Sequence, residues 1–211
     1  MLSRQRHHAF LFSLYVAIMT AQPALHKPTQ ILHNLMALLI TAQLAVGALM
    51  HAPRPGEAPS AMFELHEVLG LTSLATVVAF VAWVLLRRVD TPARQLFPWA
   101  GRARARVLGQ FALLLRGLWQ RRLPDPEATA DFASAIHGLG LLAAFGMSAS
   151  GGLYWLLGEL LGDTGGFAHQ VAELHGALAN LMWAYLGGHT FMALLHQWLG
   201  HGSLLRILGR S

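Results

Sequence analysis

Four apolar segments dominate the hydrophobic pattern of the chain, and each is long enough to cross a lipid bilayer as a helix. Crossing about 30 Å of hydrocarbon takes roughly 20 helical residues. The apolar segments lie at about 31–50, 65–86, 133–158 and 172–199. They lack the alternating polar positions that the strands of a membrane barrel require. The pattern predicts an all-α membrane protein, a four-transmembrane-helix bundle that occupies residues 29–200.

The composition supports a membrane protein and excludes several kinds of redox centre. Apolar residues make up 55% of the 211 residues and charged residues only 12%, about half the charged fraction of a soluble domain. A soluble chain with so few charges could not cover its surface. The chain has no cysteine, which excludes disulfides, thiolate haem ligation, cysteine-bound iron–sulfur clusters and covalent haem attachment through C-x-x-C-H.

The distribution of basic residues predicts the orientation in the membrane. Of the 15 Lys and Arg residues, only Arg54 lies in the first or third connecting loop. The others precede the first segment, lie between the second and third, or follow the fourth, so both termini and the middle loop are predicted to be cytoplasmic. This asymmetry accounts for the net charge of +5 without a nucleic-acid partner. The outer loops carry acidic residues, namely Glu57, Glu64, Glu159, Asp163 and Glu173.

The N-terminal region allows three interpretations. Residues 1–25 combine Arg4 and Arg6 with an apolar run and a following TAQPA, which is typical of a signal peptide. Cleavage would invert the later segments and place nine arginines of the middle loop outside. A fifth span is the second interpretation. The favoured one is a cytoplasmic or interfacial extension over residues 1–28, with a cytoplasmic tail over 201–211.

The middle loop contains one amphipathic segment with the sequence RARVLGQFALLLRGLWQRR. Its apolar residues recur at helical spacing and are flanked by arginines; they are Val107, Leu108, Phe111, Leu114, Leu115, Leu118 and Trp119. We expect an amphipathic interfacial helix on the anionic inner leaflet of the bilayer. Packing of this helix against neighbouring protein is the alternative.

Five histidines lie within or near the ends of the predicted spans, where ionisable residues are costly and therefore functional candidates. His33 and His137 lie in the first turns of segments that start inside, and His66 and His175 in those that start outside. His189 follows His175 by 14 residues. This spacing separates the two by about 21 Å and returns to within about 40° of the same helix face.

These depths predict two imidazole pairs, one near each membrane surface. His66 can meet His175 on the outer side, and His189 can meet either His33 or His137 on the inner side. Neutral imidazole is a good iron ligand, and two stacked pairs suit two b-type haems with two axial histidines each. Iron with both axial positions filled has no open site for oxygen, so the predicted chemistry is one-electron transfer.

The fragments ILHNLMALLI, LHEVLGL and LHGALANLMWAYLGGHTFMALLHQW resemble the bacterial cytochrome b561 family. This family includes the cytochrome b subunits of nickel hydrogenases and formate dehydrogenases. The resemblance covers about residues 29–208, and its strongest element is H-x13-H followed by a third histidine seven residues later. It implies two haem b groups and electron exchange with ubiquinone in the bacterial inner membrane. It also implies that the haem-iron ligands are His33, His66, His175 and His189.

Other functions predict different features. Some similar family members resemble superoxide oxidases, which pass electrons from superoxide to ubiquinone, but the acidic outer loops do not attract an anionic substrate. The long middle loop is closer to that of cytochrome b anchor subunits, whose partner would be a dehydrogenase or hydrogenase subunit or a periplasmic electron donor. A divalent-metal transporter would require ligands that converge at the bilayer centre. No Asp or Glu lies there.

Overall fold

The computed structural model describes residues 25–53, 57–98, 101–120, 122, 124–162, 165–198 and 207–208, and this part of the chain contains helices and no strands. The four long helices are α1 Lys27–Leu49, α2 Ala61–Leu86, α5 Ala130–Trp155 and α6 Gly166–Trp198. Between α2 and α5 lie α3 Ala93–Leu96, α4 Gly101–Trp119 and a 3-10 turn Pro126–Thr129, and a π-helical turn Leu156–Leu160 extends α5. The all-α prediction is confirmed. The predictions for residues 1–24, Asp163 and most of the tail concern residues outside this description.

Polar and proline residues set the helix starts a few positions ahead of the apolar segments. In α1 the start is favoured by Pro28, whose fixed φ suits the first helical turn. At the start of α2 the Ser60 side chain accepts a hydrogen bond from the backbone N–H of Phe63, and Glu64 lies in the first turn. The helices therefore begin before the hydropathy rises, at polar residues that a hydrophobic pattern does not detect.

Three helical segments are long and apolar enough to cross a membrane, namely Lys27–Leu49, Ala61–Leu86 and Pro126–Leu160. They correspond to the first three predicted spans, and the protein is an integral membrane protein. The 33-residue helix α6 has sufficient length but contains four histidines, Asn180 and paired glycines. Because of these residues, α6 is less apolar than the other three long helices, and its composition alone does not identify it as a span.

The long helices pack in chain order, with α1 along α2, α2 along α5 and α5 along α6. In the described residues, α6 makes no comparably extensive backbone contact with α1 or α2. Many large side chains on the outer faces are exposed, as expected where lipid replaces water. The shared core is built from Ile40, Leu44, Val77, Phe80, Val84, Leu141, Ala144, Met147 and Met182.

The amphipathic segment of the middle loop forms α4, as predicted, but only one edge of its apolar face is covered by protein. Val107 and Leu114 are half-buried on the side that packs against α5. The rest of this apolar face is exposed and comprises Leu108, Phe111, Leu115 and Trp119. At its edge the Phe111 ring stacks on Phe132 with centroids 5.4 Å apart. Packing against protein therefore accounts for one side of the helix, and contact of the other side with lipid stays a prediction.

Candidate functional site

His66 and His175 meet at the end of the bundle that is predicted to face outwards. Their ring centroids are 6.1 Å apart and the ring planes are inclined by 81°. The Nδ1 atom of His175 lies 3.0 Å from the carbonyl oxygen of Met147 and 3.1 Å from the hydroxyl of Ser150. When Nδ1–H donates to that carbonyl, Nε2 keeps its lone pair and can ligate a metal. Nδ1 of His66 is buried and has no hydrogen-bond partner among the described residues.

Two glycines allow neighbouring helices to approach these outer rings closely. A Cβ atom at Gly47 would lie 3.1 Å from Cε1 of His66, and one at Gly151 would lie 2.9 Å from Cε1 of His175. Such distances are shorter than ordinary carbon–carbon contacts. The buried side chain of Gln43 also fixes this region, because its Nε2 donates a 2.8 Å hydrogen bond to the carbonyl oxygen of His66.

The other end of the bundle contains three imidazoles and a tyrosine. The ring centroid of His189 lies 6.3 Å from that of His33 and 5.3 Å from that of His137. The ring of Tyr185 stacks on His189 at 5.4 Å with an interplanar angle of 14°. Tyr185 in turn occupies the position where Gly140 would carry a Cβ atom. The structure thus brings His189 next to both inner candidates that the sequence left open.

The dimensions of two of these pairs fit an iron atom between two imidazoles. Metal–nitrogen bonds of about 2 Å on opposite sides of one iron place the ring centroids roughly 6 Å apart. The His66–His175 separation of 6.1 Å and the His33–His189 separation of 6.3 Å match this distance. The 5.3 Å separation of His137 from His189 is shorter. Among the described residues, no three His, Asp or Glu side chains converge as ligands for a single metal ion.

Several residues around these pairs were not singled out by sequence reasoning. The carbonyl of Met147 and the side chains of Ser150, Gln43 and Tyr185 all contact a predicted histidine or its backbone. The one available signal was the presence of polar residues in apolar helices, since Gln43 and Ser150 are buried there. A backbone carbonyl carries no sequence signal at all.

The described residues form long apolar helices that carry paired imidazoles, an arrangement that membrane proteins with b-type haem share. The sequence model of the prokaryotic cytochrome b561 family matches residues 24–210, and the chain belongs to this family. Comparisons with curated proteins and with solved structures gave no significant match. The resemblance deduced from the histidine motifs is confirmed. The protein is a membrane b-type cytochrome of electron transfer, and haem b is the cofactor that its family implies.

Proposed function

We propose that this protein is a diheme cytochrome that transfers electrons to or from the ubiquinone pool of the bacterial inner membrane. The single observation that carries the proposal is the presence of two imidazole pairs with ring separations of 6.1 and 6.3 Å. Both pairs draw one histidine from α6, at positions about 21 Å apart along the helix axis. The outer haem would lie between His66 and His175, and the inner haem between His33 and His189.

The packing of the helices supports this placement of the cofactors. Helix α6 packs extensively on α5 but not on α1 or α2 within the described residues, although its histidines reach the rings of both. Most of α6 is unburied, since only Ala168, Val171 and Met182 are fully buried. Two porphyrins standing between α6 and the α1–α2 pair would cover this incompletely packed face. We therefore also propose that α6 is the fourth span and that both termini are cytoplasmic.

The proposed chemistry follows from having two histidines at each site. A haem held by such a pair would supply one-electron transfer and would leave no iron position open for another ligand. The protein orients the ligands: Met147 fixes the His175 ring through Nδ1, and the apolar span residues keep water from the rings. The ubiquinone would exchange electrons with one of the two haems.

Single substitutions at the outer pair test the proposal together with the haem content of the purified protein. A reduced-minus-oxidised spectrum with haem quantified per chain should give two b-type haems. His66→Ala and His175→Ala should each lose the same haem and retain the other, because an iron needs both axial ligands. His51→Ala is the matched control, since His51 is exposed and lies outside the helices. A wild-type protein without haem would overturn the proposed function.

The inner pair is tested in the same way and includes a discriminating variant. His33→Ala and His189→Ala should lose the second haem and keep the outer one. His137→Ala should retain both, because the 6.3 Å ring separation of His33 and His189 fits an intervening iron better than the 5.3 Å separation of His137 and His189. Redox titration resolves the two haems by potential and identifies which one is missing. If His137→Ala loses a haem while His33→Ala keeps two, the inner assignment is wrong.

A further inference from the structure

Each proposed haem site contains one histidine whose buried Nδ1 has no hydrogen-bond partner among the described residues, His66 at the outer site and His33 at the inner site. The second outer ligand, His175, is fixed through its Nδ1 by the carbonyl of Met147. The ring of His33 has an edge contact with Phe80, with centroids 6.5 Å apart. The position of the His33 ring therefore depends on where α1 places its backbone.

The start of α1 is held by a set of buried polar side chains centred on Thr29, one helical turn before His33. The hydroxyl of Thr29 donates to Oδ2 of Asp90 and accepts hydrogen bonds from Nε1 of Trp83 at 2.8 Å and Nη1 of Arg87 at 3.0 Å. A hydroxyl has one donor and two acceptor lone pairs. All three are used, so the hydroxyl can rotate little without breaking a bond.

Asp90 extends this contact to the backbone of α1. Its Oδ1 accepts a 3.1 Å hydrogen bond from the backbone N–H of His26, the residue that precedes the first turn and has no side-chain cap of its own. A carboxylate at a helix N-terminus is favoured by the helix dipole. Asp90 has a φ of +57°, a left-handed conformation that Asp and Asn tolerate better than most residues. Arg87 directly follows α2; its Nη1 lies 3.9 Å from Oδ2 of Asp90, and its Nη2 donates to the carbonyl of Thr91 in the same loop.

We propose that Thr29, Arg87 and Asp90 form a clamp that positions His33 as an axial ligand of the inner haem; this inference rests on the proposed function. Thr29 and His33 are four residues apart on one face of α1, so a displacement of Thr29 moves the imidazole with the helix. Productive geometry at a metal site is lost with displacements of about 0.5 Å. The side chains of Arg87 and Asp90 are 4% and 6% exposed, so water cannot replace the bonds that hold the clamp.

The test uses variants that remove or retain the clamp in the full-length, haem-loaded protein. Thr29→Val removes the hydroxyl, and Thr29→Ser retains it. Asp90→Asn removes the charge but tolerates the left-handed backbone. Asp131→Asn is the matched control, because Asp131 lies in the first turn of α5 on the same predicted side and forms an ion pair with Arg106 at 2.9 Å. The readouts are the low-spin EPR signals and the potentials of the two haems.

We expect Thr29→Val and Asp90→Asn to shift the EPR signal of the inner haem and to lower its occupancy, so that haem per chain falls from two towards one. Thr29→Ser and Asp131→Asn should leave both signals at their wild-type positions. The outer haem, whose ligand is fixed by Met147, should not change in any variant. Its unchanged signal serves as the internal reference for correct folding.

Two results would overturn the clamp. If Thr29→Val and Asp90→Asn keep the inner signal, potential and occupancy of the wild type while His33→Ala loses that haem, the clamp is wrong and the proposed function stands. An equal loss of both haems in the two variants would show that these residues serve the fold as a whole. If instead His33→Ala retains both haems, the proposed inner ligand itself is wrong.

Discussion

Gly151 offers a graded test of how closely the outer site is packed around its ligand. A Cβ atom at this position would lie 2.9 Å from Cε1 and 3.3 Å from Nδ1 of His175. Carbon atoms pack at about 3.5 Å or more. Gly151→Ala should therefore push the His175 ring aside by about 0.6 Å, unless α5 and α6 separate by the same amount.

The size of the effect follows from the hydrogen bond that holds the ring. The distance from His175 Nδ1 to the carbonyl oxygen of Met147 is 3.0 Å. A displacement of the ring along this direction lengthens it to about 3.6 Å, at which no hydrogen bond remains. The net loss is about 1 kcal/mol, which corresponds to roughly a fivefold weaker binding of the outer haem.

The assay is titration of haem into the haem-depleted protein, with the two sites resolved by potential. Gly151→Ala should weaken only the outer site. Gly158→Ala is the matched control, because Gly158 lies seven residues further along the same helical run and has nothing within 4 Å of its Cβ position. Unchanged outer-haem affinity in Gly151→Ala would refute the view that the ring is held against α5.

Three further predictions concern the environment of the bundle. Reporters fused to Ser211 and inserted at 159–170 should be cytoplasmic and periplasmic, respectively, and a periplasmic C-terminus would also contradict the depths of the histidines. Burial alone would raise the pKa of Asp90. Hydrogen bonds from the Thr29 hydroxyl and from the backbone and ring of His26 outweigh the effect of burial and hold this pKa below its ordinary value. Ionised Asp90 therefore stabilises the fold above its unfolded-state pKa, and this stabilisation is lost as the pH falls through its lower folded-state pKa. Between about pH 6 and pH 3 the melting temperature should fall more steeply in the wild type than in Asp90→Asn. Equal dependence of the two melting temperatures on pH would refute this prediction. Outer carboxylates such as Glu173 should make ubiquinone reduction by superoxide slow at low ionic strength, and near-diffusional rates would instead favour superoxide oxidase activity.

The sequence predicted the first three spans well because uninterrupted apolar length is a property of each segment alone. The helices begin several residues before the apolar segments, since Ser60 and Pro28 favour helix starts through backbone hydrogen bonding and φ preference and not through hydropathy. Apolarity is a weaker guide to α6. The histidines and glycines of this helix, which carries two of the predicted ligands, lower its mean hydropathy below that of the other three long helices.

The candidate site was predictable as far as helix periodicity reaches. The spacing of His175 and His189 indicated two depths on one face, and the structure brings each next to a predicted partner. Periodicity could not choose between His33 and His137, because that choice depends on the distance between different helices. The contact of Thr29 with Asp90 joins residues 61 positions apart, so no local pattern indicates it.

The limited packing of α6 has a consequence for how the protein is made. In a diheme protein, the porphyrins would take the place that side chains occupy between helices elsewhere, and most of the buried surface on one side of α6 would come from cofactor. A ligand that binds only the folded state stabilises it by mass action. The supply of haem during synthesis would then determine how much of the chain reaches its mature form, and cells starved of iron would accumulate less of the protein even with unchanged transcription.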